Sequence, residues 1–201
     1  GEKVSSGLVD LTATLTCEDK SESIIFPLLV TDELSEVMAI DMTFDNIKTG
    51  TYSTAWENSG WLFNNAILAE DLDAISDPES ISEQKAQICR LKAEDGKNSS
   101  LELMNFMTNP SKISFDYEIF ETDKRENYTK DTYLSVYTME HDTWQLLSKS
   151  SPLGSDFYHF EYDLSSFTGG IRLKVEIETA YASMRVDLDH LVITRFINQE
   201  D

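Results

Sequence analysis

Apolar and polar residues alternate along most of this chain with a period of two. The cleanest run is Lys112–Phe120, where Ile113, Phe115, Tyr117 and Ile119 share one face and Ser114, Asp116 and Glu118 the other. Ile171–Glu178 repeats the pattern, with Leu173, Val175 and Ile177 set against Arg172, Lys174, Glu176 and Glu178. Successive side chains of a strand point to opposite faces, so these runs predict strands with one buried face. Further strand patterns lie at 7–16, 24–30, 37–44, 61–63, 84–91, 100–106, 133–139, 144–147, 157–162 and 184–193. Turn chemistry separates them, as at Asp45-Asn46, Thr49-Gly50, Glu94-Asp95-Gly96, Asn109-Pro110 and Gly169-Gly170. No long segment carries a helical period. The pattern predicts an all-β fold, a two-sheet antiparallel β-sandwich of jelly-roll type.

The closing strand, Met184–Ile193, breaks its own alternation. Met184, Val186 and Leu188 are apolar before the break, and Leu191 and Ile193 after it, so the pattern slips at His190-Leu191. Such a slip predicts a bulge, one that would aim Asp187 or Asp189 away from bulk water. Pro27, inside the run Ile24–Val30, confines that strand to an edge or a bulge. Residues 69–84, rich in carboxylates, and 121–132 read as long loops. Connections above about 12 residues in a compact domain are usually functional. Tyr52–Gly60 reads as a polar loop around Trp56, while Trp61 and Trp144 open strands and are expected in the core. The acidic connector Thr31–Glu36 divides the chain into an N-terminal β-hairpin segment, 1–36, and the sandwich, 37–201.

With 201 residues and 40% hydrophobic content, the chain can bury a sizeable core without disulfide staples. Asp and Glu number 37 against 16 Lys and Arg, a net charge of −21. That field repels phosphate backbones and anionic lipid, so no nucleic-acid partner is expected. The surplus suits the solubility of a secreted or surface protein, or the binding of calcium, which takes carboxylate and carbonyl oxygens. No apolar run approaches the roughly 18 residues of a membrane-spanning helix. Gly1 followed by a polar start reads as a trimmed beginning, from which a targeting segment has been removed. Cys17 and Cys89 show no zinc spacing. They would pair in an oxidising compartment, yet both lie in apolar strand-like runs where a free buried thiol is common.

Three i, i+2 carboxylate pairs could serve a glycosidase, which needs two carboxyl groups about 5 to 10 Å apart: Asp187/Asp189, Glu176/Glu178 and Asp116/Glu118. Such pairs are also common on solvated strand faces. His141, His159 and His190 lie on different elements, and no nucleophile elbow or phosphate loop is present. Sugar binding asks for exposed aromatic rings beside planar hydrogen-bonding groups. The candidates are Trp56 with Glu57 and Asn58, Tyr128 with Arg125, and Tyr181. Each aromatic has the competing role of a loop anchor.

Phe44-Asp45-Asn46-Ile47, Trp61–Ala66, Ala86–Leu91, Ile113–Tyr117, Trp144 and Val186–Ile193 occur in an order that resembles the bacterial extracellular galactose-binding-like jelly-roll family over residues 40–197. The resemblance implies that the first and last strands are neighbours and that loops at one end contact ligand. It also implies a structural calcium, with Asp45 and Asp189 as ligands. His190 stands where the family pattern has a second acidic residue, and imidazole suits calcium poorly. Residues 1–33 weakly resemble the last hairpin of a bacterial immunoglobulin-like repeat, or else belong to the main sheet. The resulting expectation is a non-catalytic, monomeric module for carbohydrate or a cell-surface protein. It would be secreted or surface-anchored, as a lipoprotein is. The alternatives are a glycan-cleaving enzyme or a purely structural adhesion module.

Overall fold

The structure, a computed structural model, describes residues 7–17, 20–30, 34–42, 44, 50–70, 87–124, 131–140, 142–167 and 169–198. Two compact units are present: residues 1–37 with 196–201, and residues 38–195. In the first unit, β1 (Gly7–Cys17) and β2 (Lys20–Val30) pair antiparallel from Gly7 opposite Val30 to Cys17 opposite Lys20. Both strands of a two-stranded sheet are edges. Pro27, opposite Asp10, therefore interrupts no second ladder.

The second unit is built from two antiparallel sheets. One has the order β12 (Phe157–Asp163), β9 (Pro110–Ile119), β14 (Met184–Asn198), β7 (Gln87–Ala93), β6 (Ala66–Glu70), with β3 (Leu34–Met42) also paired to β14. The first and last strands of the predicted sandwich are thus neighbours. The other sheet has the order β11 (Thr143–Lys149), β10 (Thr132–Glu140), β13 (Arg172–Thr179), β8 (Ser99–Leu103), β5 (Trp61–Asn64), β4 (Trp56–Asn58). Alternation decides what each strand buries. Ile113, Phe115, Ile119, Val186 and Leu188 from the first sheet meet Leu101, Leu134, Val136, Val175 and Ile177 from the second in one core. All ten are at most 1% exposed, each contributing about 1.5–3 kcal/mol by leaving water. Trp61 is in this core as expected, 2% exposed.

The slip in the closing strand is a bulge. The register of β14 with β9 shifts between Asp189 and Val192, and His190 has φ +49°. The extra residue lets Leu188 and Leu191 both face inward, each fully buried. The segment expected as a polar loop around Trp56 is instead a hairpin. Trp56 lies opposite Phe63 and Asn58 opposite Trp61. Ser59 (φ +50°) and Gly60 (φ +81°) form its two-residue turn. Positive φ at both central positions is the turn that suits strand twist.

On the outer side of the first sheet, Arg90 forks onto Asp187 across β7 and β14, Nε–Oδ1 2.6 Å and Nη2–Oδ2 2.9 Å. The two residues are 8% and 3% exposed. The Phe120 ring lies 3.5 Å from the Arg90 guanidinium carbon and 4.4 Å from that of Arg185. Arg185 in turn forks onto Asp123 at 2.6 and 2.9 Å. Burial pushes the Tyr52 hydroxyl up to about 12, against the lowering effect of Arg90 and Arg185.

Asp187→Ala should cost about 3–5 kcal/mol, because it leaves a buried guanidinium without its carboxylate; a urea midpoint near that of the parent would refute this. Folded Tyr52 holds its proton more tightly than the unfolded chain, whose tyrosines titrate near 10. Its contribution is complete below pH 10 and is lost as pH rises towards 12. Tyr52→Phe should therefore flatten the fall in stability over that interval, and unfolding curves of equal slope would show that Tyr52 plays no part.

Candidate functional site

The outer face of the β10 sheet carries a set of aromatic and hydrogen-bonding side chains aligned along one strand. β10 sends Leu134 and Val136 inward, which turns Tyr133, Ser135, Tyr137 and Met139 outward. Across β13 these lie opposite Glu178, Glu176, Lys174 and Arg172. Across β11, Ser135 faces Lys149, Tyr137 faces Leu146 and Met139 faces Trp144. Three rings and three cations thereby share one layer. The Lys149 Nζ lies 4.2 Å from the Tyr133 centroid, and that of Lys174 lies 4.4 Å from Tyr137 and 5.1 Å from Trp144. The Arg172 guanidinium carbon is 5.6 Å from Trp144.

Every cation of the layer has a carboxylate. Lys149 pairs with Glu178, Arg172 with Glu102, and Lys174 with Glu176 at 3.0 Å. Asn98 Nδ2 donates to Glu176 Oε1 at 3.0 Å. The Tyr133 hydroxyl donates to Asp131 Oδ2 at 2.6 Å, a bond that raises its pKa. At the Tyr133 end the layer opens into a depression of about 720 Å³, lined by Asp95, Asn98, Asp131, Glu178 and Thr179 among others. Rings beside fixed donors and acceptors are what a pyranose needs, apolar faces for its C–H groups and polar groups for its hydroxyls.

Trp144, expected in the core, is not part of it. Gln145 and Leu146 are exposed beside it, and β11 is an edge strand with a register shift against β10. Its own alternation names no face; the pairing with Met139 does. The signal that could have found the site is the pair Tyr133 and Tyr137, both out of phase with Leu134 and Val136.

Of the described residues expected to bind ligand, only Glu57 shares this outer face, in the row Leu62, Glu102, Lys174 and Tyr137; Trp56, Asn58 and Tyr181 do not. Trp56 stacks on Phe63 at 4.0 Å and 5°, and its Nε1 donates to the Ala66 carbonyl at 2.9 Å. A Cβ added at Gly50 would lie 1.9 Å from that nitrogen, so the ring requires the glycine. Trp56 is therefore a packing anchor. Glu57 is exposed, and Asn58, half-buried, accepts a 2.6 Å bond from Ser59 Oγ. Tyr181 is 8% exposed and belongs to the core. Arg125, Tyr128, Asp45 and His141 lie outside the described residues, as do residues 71–84 of the acidic stretch 69–84, whose first two residues end β6 instead of forming loop.

Asp189 is 4% exposed, and its Oδ1 accepts the His190 backbone N–H at 2.8 Å. His190 Nε2 is 3.9 Å from Oδ2. On the same face Asp116 takes His159 Nδ1 at 2.6 Å and His190 Nδ1 at 3.0 Å. Among the described residues no three His, Cys, Asp or Glu side chains form a metal-binding group. Imidazole beside carboxylate does not by itself fit calcium. The carboxylate pairs proposed for hydrolysis are engaged elsewhere: Asp187 by Arg90, Asp116 by two imidazoles, Glu118 by Lys124, and Glu176 and Glu178 by lysines. Cys89 is a free, fully buried thiol whose pKa burial raises.

No family model matches the sequence, and no curated protein does. Solved structures are similar to it. TmCBM61, in complex with β-1,4-galactotriose, shares 13% identity over 68% of this chain and 89% of its own, with a TM-score of 0.43. The CBM22-1 xylan-binding domain of Paenibacillus barcinonensis Xyn10C shares 14% over 83% and 98%, with a TM-score of 0.46. A family 29 carbohydrate-binding module, a CBM29-2 mutant complexed with mannohexaose, shares 10% over 81% and 92%, with a TM-score of 0.44. The likeness is one of fold. At these scores it carries no argument about ligand or site.

Trp56→Ala should cost about 3 kcal/mol of stability, and Gly50→Ala should also destabilise, both read by chemical denaturation. A Trp56→Ala protein as stable as its parent would remove the anchor role.

Proposed function

We propose that the protein is a non-catalytic, extracellular module that binds neutral glycan on the outer face of β10, β11 and β13. The observation that carries this reading is the alignment of Tyr133, Tyr137 and Trp144 on one solvent face, interleaved with Asn98, Lys174, Glu176 and Arg172. Strand rise places Tyr133 and Tyr137 about 13 Å apart, with Trp144 farther along the same direction. That is the reach of several sugar rings rather than one. Neutral ligands are favoured because each cation of the layer already has a carboxylate and the whole chain carries −21. A uronic-acid polymer would meet that field as a repulsion. A secreted or cell-surface location belongs to the same proposal; among the described residues no helix is long and apolar enough to cross a membrane.

β-1,4-Galactan, xylan and β-mannan, the polymers related to the ligands of the similar structures, form the first panel for affinity electrophoresis. The parent protein should be retarded by at least one. Trp144→Ala and Tyr137→Ala should each weaken that binding about tenfold, the loss of one stacking contact, with little change in melting temperature. Retardation by none of the three polymers, or full retention of binding in both variants, would sink the reading.

A further inference from the structure

We infer that Ser135 reads a hydroxyl of the bound sugar from the floor of this platform, an inference that rests on the glycan reading above. Ser135 is 2% exposed, and its Oγ has no hydrogen-bond partner in the protein. Buried hydroxyls are nearly always satisfied, and leaving one unmade costs more than a hydrogen bond normally returns. Alanine would fill the same space without that cost. On the outer face of a sheet, unlike in the core, such a hydroxyl can find its partner from outside.

The position of Ser135 says which partner. It points to the same side of β10 as Tyr133 and Tyr137, midway between them along the strand. Across the sheet it is flanked by Lys149 on β11 and Glu176 on β13. Lys149 sits over the Tyr133 ring and pairs with Glu178, both side chains more than a third exposed. An exposed ion pair of this kind is weak, so the lysine can lift when a sugar stacks on the tyrosine. A pyranose lodged between the two rings then places a hydroxyl towards Oγ, which can donate or accept. Thr138, the other buried hydroxyl without a partner, lies on the core side opposite Leu173, away from any ligand.

The test is Ser135→Ala, compared with the parent in gels containing xylan, β-1,4-galactan or β-mannan, alongside thermal unfolding. Affinity for the polymer that retards the parent most should fall about fivefold to tenfold, the loss of one hydrogen bond. The melting temperature should hold or rise, because an unsatisfied buried group has been removed. Unchanged affinity would overturn the inference, and so would a melting temperature lower by several degrees, which would reveal a structural partner for the hydroxyl. If Trp144→Ala loses binding while Ser135→Ala does not, the platform stands and the role of Ser135 falls. If the parent binds none of the three polymers, both fall together.

Discussion

A carboxylate 3% exposed in the middle of a sheet is tolerable only if a cation meets it with good geometry, and the fork between Arg90 and Asp187 meets that condition. The pair ties β7 to β14, and β14 is also bonded to β9 and β3. These are the middle strands of their sheet. Phe120 extends the arrangement by standing between two guanidiniums, one held by Asp187 and the other by Asp123. Around Phe120 the outer side of this sheet therefore carries charges that are paired in forks. Replacing either charge of the Arg90–Asp187 fork alone would leave the other buried without its fork partner.

The second sheet uses its outer side differently. Its cations are also paired and lie over aromatic rings, and one pair, Lys149 with Glu178, is more than a third exposed, where pairing is weak and side chains can move. The buried fork of the first sheet serves the fold, while the exposed Lys149–Glu178 pair of the second can rearrange. That contrast favours a binding platform on β10, β11 and β13 over one at the more buried Asp187 and Asp189. Of the two buried side-chain hydroxyls without a partner among the described residues, Ser135 and Thr138, only Ser135 is on the outer side.

Strand positions are largely legible in the sequence because one-sided burial imposes a period of two, and β9 and β13 show it without a break. The bulge is legible for the same reason: Leu188 and Leu191 cannot both face inward unless one residue is left out of phase, and His190 is that residue. The β4–β5 turn is hidden because Asn58-Ser59-Gly60 continues the polar run before it, although the small residue and glycine at its centre carry the turn chemistry.

What the sequence determined by itself was which side chains share a face within each strand, since that depends only on alternation. Which faces meet, and which look outward, was decided by pairing between strands distant in the chain. Trp56, expected exposed, is packed, and Trp144, expected in the core, lies outside it on that account. Trp56 is claimed by Phe63, Gly50 and the Ala66 carbonyl, whereas Trp144 is set outward by its register with Met139. A lone tryptophan in a polar stretch carries no mark of its neighbours. Tertiary structure alone supplies them, because stacking and hydrogen bonding need contacts that local sequence does not specify.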